Sequence, residues 1–242
     1  WAPQCSQVGD LPDGVKILGL GAALAHDPEP IAAKLGSALG PIPHGFAAMN
    51  SAFVGDGAFV EIAAGTLIEK PIELLFVSGC SGEGYLSLPR NLIVLGAGSK
   101  ATVIERHVSL SGERALTNSV SELILAANAR LNYHGLQQTS ERSFHVGGVF
   151  GKLGRSAQLK ATTVTTGGSL VRNDARISLD KEGATVSLDG LYLAFGRRHV
   201  DNHTHIVHNA PHCTSQEQYK GVLGDRARAV FHGRIVVQPG AQ

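Results

Sequence analysis

Apolar and polar residues alternate over most of the chain from Ala58 onwards, in short runs separated by Gly, Pro or Ser. The runs include FVEIA, IELLFV, NLIVL and HVDNHTHIVH, and many of their apolar residues are β-branched. Alternation with a period of two residues is typical of strands that bury one face, and β-branched residues favour strands. The pattern therefore predicts an all-β domain over residues 56–242.

The predicted strands recur with a nearly fixed period. A small residue, a variable residue and an aliphatic residue recur at spacings of 28, 28 and 27 residues. The four copies are Ala101–Val103, Ala129–Leu131, Ala157–Leu159 and Ala184–Val186. We place a fifth copy at Ala227–Phe231, 43 residues later, and assign the excess to an insertion across residues 209–224.

A second series of strands lies between these copies, so that each repeat supplies about two strands and two turns. The series comprises TNSVSELIL, SFHVGGVFG, LVRNDARISL and HVDNHTHIVH. Such a unit cannot bury its apolar face alone, so that neighbouring repeats must stack on one another. A parallel β-solenoid is therefore predicted. A β-sandwich is the alternative, although a sandwich does not require a fixed period.

The first 55 residues have a different pattern and are predicted to form a partly helical N-terminal cap. Asp27-Pro28-Glu29-Pro30 precedes the amphipathic run IAAKLGSAL, and Gly40-Pro41 follows it. Proline is tolerated in the first turn of a helix, and a Gly-Pro pair ends one. A second short helix is predicted over Phe46–Phe53.

Composition and charge narrow the classes of function. The net charge is +1 and the basic residues are scattered, so the chain has no obvious surface for nucleic acid or an anionic membrane. It contains no apolar run of membrane-spanning length and no signal peptide. Three cysteines without a CxxC spacing are typical of a reducing compartment. We therefore expect a cytoplasmic protein. Because the sequence begins without Met, we also expect a piece of a longer gene product.

Five of the eleven histidines are concentrated in one segment, residues 184–215, together with one cysteine. His203 and His205 are two residues apart on a predicted strand, so they would project from the same face. With a third ligand from Cys213 or a neighbouring coil they could bind Zn²⁺ or Fe²⁺. The candidate ligands are His203, His205, His208 and Cys213. The alternatives are an ordinary polar outer face and, for His208 and Cys213, a structural role at a turn.

Four aspartates suggest a second kind of chemistry. Carboxylates aligned across coils provide the acid and base of β-helical polysaccharide lyases and hydrolases. The candidates are Asp174, Asp180, Asp189 and Asp201. Aspartate is also common in turns and on solvated faces, so this carbohydrate-active enzyme remains an alternative function, as does a stand-alone metal-binding module.

Nucleotide chemistry is not indicated. Residues 96–101 read GAGSKA and match G-x-G-x-x-A after a strand, but the residues that follow alternate like a strand. A dinucleotide site requires a helix at that point, so these glycines are predicted to form a turn. The sequence contains neither a P-loop nor a G-x-S-x-G motif. The residues themselves therefore indicate a scaffold more than an enzyme.

Several separated blocks of the chain resemble one known family. The blocks are FAAMNSAFVGDGAFVEIAAGTLIEKPIELLFVS, PRNLIVLGAGSKATVIE and RAVFHGRIVVQPGAQ, in that order. They resemble the SufB/SufD family of iron–sulfur cluster assembly scaffolds, over about residues 11–242. Four further segments resemble the SufD branch more than the SufB branch: His208-Asn209, Cys213–Ser215, Tyr219-Lys220 and Arg228–Gly233.

The resemblance implies a right-handed parallel β-helix, in agreement with the period. It also implies a non-enzymatic, SufD-like scaffold that pairs with a SufB-like scaffold and, through a C-terminal helical region, with a SufC-like ATPase. In the family that helical region and a Cys-x-His segment at the cluster site lie downstream of the β-helix. Residue 242 precedes both, so we transfer no cluster ligand. We expect no cofactor on this chain alone and a nascent iron–sulfur cluster in the assembled complex.

A solenoid that ends after a strand leaves unpaired backbone groups at its last coil. Such an edge pairs readily with another chain. We therefore predict that the isolated chain forms a homodimer around residues 226–238, in the place of its SufB-like partner. The predicted interface residues are Arg226, Arg228, Val230, His232, Arg234 and Val236.

Overall fold

The computed structural model describes residues 6, 8–40, 45–79, 84–110, 112 and 114–242. The helices found there are α1 (Leu20–His26), α2 (Pro28–Ala32) and α3 (Gly45–Ala52). The strands are β1 (Val15–Gly19), β2 (Ala58–Ile62), β3 (Ile72–Ser78), β4 (Tyr85–Ser87), β5 (Arg90–Leu95), β6 (Lys100–Ser109), β7 (Ala115–Leu125), β8 (Arg130–Gln138), β9 (Phe144–Leu153), β10 (Gln158–Thr165), β11 (Leu170–Leu179), β12 (Thr185–Ala194), β13 (His199–His208), β14 (Thr214–Leu223) and β15 (Arg228–Val237). Within the described residues, no helix has the length and apolar character needed to cross a membrane.

Two sheets form the walls of a β-solenoid of about six turns. The first sheet has the order β1-β2-β5-β7-β9-β11-β13-β15, with β4 paired to β7, and the second has the order β14-β12-β10-β8-β6-β3. Neighbouring strands run parallel except for β1 and β2, which are antiparallel. Each coil therefore contributes one strand to each sheet, and the predicted parallel β-helix is confirmed.

The strand registers explain the repeat and correct its last copy. Leu131, Leu159 and Val186 are direct partners in successive coils. The partner of Val186 in the next coil is Ser215 on β14, so residues 209–224 hold a regular turn and strand, and the predicted insertion was wrong. Ala229, from the predicted fifth copy, lies instead in the first sheet on β15. Residues 213–215 are the true fifth copy, and the sequence pattern did not show it because Ser215 stands where the other copies have an aliphatic residue.

One corner of the solenoid is turned in coil after coil by a residue with positive φ. These residues are Gly65 (74°), Gly98 (68°), Asn128 (60°), Ser156 (52°), Gly183 (72°) and His212 (59°). The N–H of Gly98 donates to the carbonyl of Ala127, and that of Asn128 to the carbonyl of Arg155, each at 2.8 Å. The turns are therefore stacked and hydrogen-bonded to one another, and residues 96–99 form the predicted turn between β5 and β6.

One half of the solenoid lumen is a stacked aliphatic core. Leu95, Leu125, Leu153 and Leu179 are direct partners in successive coils of the first sheet, and all four are almost fully buried. Burying a leucine side chain contributes about 1.5–3 kcal/mol, so such rows stabilise the stacking of coils. The other half of the lumen carries polar side chains, which form part of the candidate site.

The N-terminal segment differs in part from its prediction. Strand β1, which the sequence pattern did not predict, pairs with β2 and joins the segment to the first sheet. The helix predicted over IAAKLGSAL ends at Ala32 and turns follow it, because the N–H groups of Gly36 and Ala38 donate to the carboxylate of Glu122 at 2.7 and 3.0 Å. The second predicted helix is confirmed as α3.

Candidate functional site

The histidine-rich strand β13 lies in the first sheet between β11 and β15. Its residues alternate between half-buried and buried along the whole strand. His203 and His205 lie together on the outer face, as their spacing predicted, whereas His208 lies on the inner face. The candidate metal ligands of this strand are therefore distributed over opposite faces of the solenoid wall.

His203 belongs to a network of polar and charged side chains on the outer face. Its Nε2 lies 2.8 Å from Asp201 Oδ1, and its ring centroid lies 5.3 Å from that of His232. Arg172 donates to Asp174 at 2.8 and 2.9 Å and to Asp201 at 2.8 Å. The hydrogen bond with Asp174 raises the pKa of Arg172. The two carboxylates that could bind a metal beside His203, Asp174 and Asp201, are thus already hydrogen-bonded to Arg172.

His205 lies in a row between two arginines. Its direct partners in the neighbouring strands are Arg176 and Arg234. Burial lowers the pKa of His205, and so do the charges of these two arginines. Positive charges on both sides oppose a metal cation. No group of three or more His, Cys, Asp or Glu side chains could hold a metal ion in the described ranges, so that part of the chain supplies no third ligand to the predicted His203–His205 pair.

His208 and Cys213 have structural contacts at the turn between β13 and β14. His208 continues the aliphatic row after Leu179, and its Nε2 lies 3.0 Å from Ser215 Oγ. The thiol of Cys213 donates to the carbonyl of Lys181 at 3.4 Å and packs against the hydrophobic core. These contacts favour the structural alternative for both residues.

The four aspartates do not lie in one row. Asp174 and Asp201 are on the outer face of the first sheet, where both accept hydrogen bonds from Arg172. Asp180 follows the end of β11, and Asp189 is on β12 in the second sheet. The alignment of carboxylates that a β-helical carbohydrate-active enzyme would use is therefore not formed by these residues.

Strands β14 and β15 form the last coil of the solenoid, called here the terminal coil. The inward side chains of β15 include Phe231, Ile235 and Val237, which are 45%, 52% and 48% exposed. Ile206, the partner of Ile235 on β13, is fully buried. The difference arises because the terminal coil is covered on one side only. Within the described residues, β14 and β15 each pair with one strand only.

The predicted interface residues lie on and next to this coil. Five of them occupy alternate, outward positions of β15, and the sixth is in the turn that precedes it: Arg228, Val230, His232, Arg234, Val236 and Arg226. Sequence reasoning missed the inward apolar residues of the same strand and also Val222 and Leu223 on β14, which are 50% and 49% exposed. The alternation within RAVFHGRIVV would have found the inward residues of β15. Whether any of these residues contacts another chain stays a prediction.

The polar half of the lumen contains a network that the sequence analysis also missed. Its centre is the buried carboxylate of Glu105, which accepts hydrogen bonds from His107 Nε2 at 2.8 Å and Tyr133 OH at 2.7 Å. The hydroxyls of Ser119 and Ser121 donate to the same carboxylate. Each carboxylate oxygen therefore has two donors, which compensates for burial of the charge.

The ionisation of this network follows from its burial. Burial would raise the pKa of Glu105, but hydrogen bonds from His107 and two hydroxyl groups lower it to about 2. Burial lowers the pKa of His145 to about 3, and its ring centroid lies 4.9 Å from that of His107. At neutral pH the carboxylate of Glu105 is therefore ionised and the imidazole of His145 is neutral, and both lie inside the solenoid.

Comparison with known families shows where the chain belongs. Residues 78–242 match the profile described as "SUF system FeS cluster assembly, SufBD core domain", and residues 1–74 match "SufBD protein N-terminal region". The chain belongs to the SufB/SufD family of iron–sulfur cluster assembly proteins. The family resemblance seen in the sequence is thereby confirmed.

Three relatives illustrate the match. An iron-sulfur cluster assembly SufBD family protein of Synechocystis sp. is 27% identical over 250 residues, which span 100% of this chain and 55% of that protein. The iron-sulfur cluster assembly protein SufD of Escherichia coli is 29% identical over 180 residues, 74% of this chain and 43% of SufD. Protein ABCI7, chloroplastic, of Arabidopsis thaliana is 26% identical over 245 residues, 96% of this chain and 50% of that protein. The chain thus spans about half the length of these curated relatives.

Proposed function

We propose that the chain is the β-helical part of a SufD-like scaffold that assembles iron–sulfur clusters together with a SufB-like scaffold and a SufC-like ATPase in the cytoplasm. It acts by binding these partners and not by catalysis. The nascent cluster is the cargo of the assembled complex, and ligands outside this chain hold it. Membership of the SufB/SufD family and the similarity to SufD support this proposal.

The observation that carries the proposal furthest is the family match, because residues 78–242 match the SufBD core domain and the chain is 29% identical to SufD of Escherichia coli over 180 residues. The outward face of β15 carries Arg228, Val230 and Arg234. Apolar and charged side chains side by side are common at protein interfaces.

The rigid register of the solenoid suits a scaffold. Parallel pairing from β2 to β15 fixes the positions of the side chains in successive coils. On the outer face of β13, where the histidines suggested metal chemistry, His203 is engaged by Asp201. This arrangement supports binding of proteins more than binding of a metal by the chain itself.

A genetic experiment tests the proposal. Deletion of the gene should lower the activity of iron–sulfur enzymes in the same cells without lowering the amounts of their polypeptides. The full-length gene, supplied on a plasmid, should restore activity. Unchanged iron–sulfur enzyme activity in the deletion strain would contradict the proposal.

A further inference from the structure

The polar half of the lumen contains a cavity of about 50 Å³. Its walls include Gly135 on β8 and Gly147 on β9, two successive strands of the chain that belong to opposite sheets. The neighbours of Gly147 in its sheet are Ser119 and Asn173, and those of Gly135 are Glu105 and Thr163. The missing side chain at Gly135 leaves part of this space open, whereas at Gly147 the space is filled by the ring of His145, whose Nε2 would lie 2.9 Å from an added Cβ.

One buried group lining the cavity has no partner. His145 is 4% exposed, and its Nδ1 has no hydrogen-bond partner among the described residues. Because burial lowers the pKa of His145 to about 3, the ring is neutral at pH 7, with one nitrogen that donates and one that accepts. A buried polar atom without a partner costs about 1–3 kcal/mol. A ligand in the cavity would remove that cost.

The charges around the cavity decide what kind of ligand fits. Glu105 and Asp174 are the carboxylates at its wall, and both oxygens of each already accept hydrogen bonds from the protein. A cation therefore finds no free carboxylate oxygen there, and an anion would be repelled by the charge of Glu105. A small neutral molecule that both donates and accepts hydrogen bonds satisfies the site.

We propose that this cavity is an internal hydration site that holds about three to five ordered water molecules, at least one of them in contact with His145. The volume agrees, since one buried water requires roughly 10–15 Å³ of such space. The site lies in the lumen of the solenoid, and its lining extends to Tyr219 on β14 of the terminal coil. It is independent of the proposed scaffold function.

A second observation in the same half of the lumen points to the same ligand. Asn202 Nδ2, Thr204 Oγ1 and Glu217 Oε1 are buried and also have no hydrogen-bond partner within the described ranges. Asn202 is linked to Asn173 at the cavity wall by a hydrogen bond of 2.9 Å. The three atoms comprise a donor, a hydroxyl and an acceptor, a mixture that water satisfies and a simple ion does not.

Magnetic relaxation dispersion of ²H and ¹⁷O tests the proposal by counting water molecules that stay bound longer than the protein tumbles. The wild-type chain should show at least two. Gly135→Ala should show at least one fewer, because the new Cβ would occupy the cavity at 3.7 Å from Tyr133 Cε1 and 3.9 Å from Thr163 Oγ1, which are ordinary contacts. Gly45→Ala, where the added Cβ meets nothing within 4 Å, should keep the wild-type count.

Two results would overturn the proposal. One is a wild-type chain without long-lived water, and the other is an unchanged count in a folded Gly135→Ala variant. If that variant does not fold, a crystal structure of the wild-type chain decides instead. Ordered water within hydrogen-bonding distance of His145 Nδ1 is then the expected result. A dry cavity, with the imidazole turned to a partner in the protein, is the opposing result.

Discussion

Arg90 on β5 and Glu122 on β7 form a buried ion pair of the solenoid that also contacts the N-terminal segment. The guanidinium Nη2 lies 2.6 Å from Glu122 Oε1, and the two side chains are 3% and 0% exposed. Glu122 also accepts hydrogen bonds from the N–H groups of Gly36 and Ala38, and Arg90 donates to Asn50. The pair thus lies between strands β5 and β7 and the residues after α2. It fixes the N-terminal segment against the outer face of the first sheet.

Replacing Glu122 by Gln should destabilise the fold severely. The change leaves the Arg90 charge buried without its counter-ion. It also replaces one of the two oxygens that accept from the N–H groups of Gly36 and Ala38 by an amide NH2 group, which cannot accept. Removing one partner of a buried ion pair typically costs about 3–5 kcal/mol. Urea unfolding followed by circular dichroism should give a loss of this size in the free energy of unfolding.

Glu61→Gln is the matched control for that change. Glu61 pairs with Lys34 at 2.8 Å and Lys16 at 3.4 Å, but its side chain is 28% exposed. A partly exposed pair of this kind contributes less than about 1 kcal/mol. Equal losses for the two variants would show that the Arg90–Glu122 pair does not hold the N-terminal segment in place.

The buried His145 should make stability depend on pH. Its pKa is lowered from 6.5 to about 3 by burial, so between these values the unfolded chain binds a proton that the folded chain does not. The free energy of unfolding should therefore fall as pH decreases below 6.5, by up to about 1.4 kcal/mol per pH unit from this group. Urea unfolding at several values between about pH 7 and pH 5 measures the slope.

His145→Gln should reduce this slope, and His26→Gln, at an exposed position on α1, should not. The chosen pH range excludes the effect of Glu105. The pKa of Glu105 is lowered from 4.5 to about 2, so its contribution to stability is present above pH 4.5 and is lost as pH falls towards 2. An identical slope in the wild type and His145→Gln would mean that His145 titrates normally in the folded chain.

His212 should prove to be a turn residue. Its φ is 59°, in the left-handed region where a residue with Cβ is strained by about 1–2 kcal/mol and glycine is not. His212→Gly should therefore leave the free energy of unfolding unchanged or raise it by up to about 1 kcal/mol. His212→Val should lower it by about 1–2 kcal/mol. A large loss with His212→Gly would indicate instead that the imidazole itself is required.

The isolated chain should self-associate through the terminal coil. Sedimentation velocity over a range of concentrations should show a dimer of the wild type. The Phe231→Asp, Ile235→Asp variant should be a monomer, because charges would have to be buried in the interface. Leu75→Asp also changes an apolar residue that is about half exposed but lies on β3 at the other end of the second sheet, so that variant should still dimerise. A monomeric wild type at high concentration would contradict the prediction.

The periodic part of the fold could be predicted from sequence because one coil of the solenoid corresponds to one repeat. Leu131, Leu159 and Val186 are equivalent by pattern and adjacent in space. The search for repeat copies failed at Ser215, where a serine hydroxyl replaces the aliphatic side chain of the other copies. It failed also at β1, because five residues that alternate do not indicate which distant strand they join.

The polar network was missed for a different physical reason. Polar residues of a strand were assumed to face solvent, but Glu105 and His107 follow Val103 at intervals of two residues and so share its inward face. The spacing was visible in the sequence. The four donors that make burial of Glu105 tolerable come in part from other strands, such as Tyr133 on β8. Partners of that kind become apparent only when the coils are stacked.

The most direct test of the central claim is affinity purification of the full-length gene product from its own cells, under anaerobic and low-salt conditions, with mass spectrometry of the bound proteins. A SufD-like scaffold should bring down a SufB-like scaffold together with a SufC-like ATPase. If neither partner is recovered with the wild-type protein, the proposed function is contradicted.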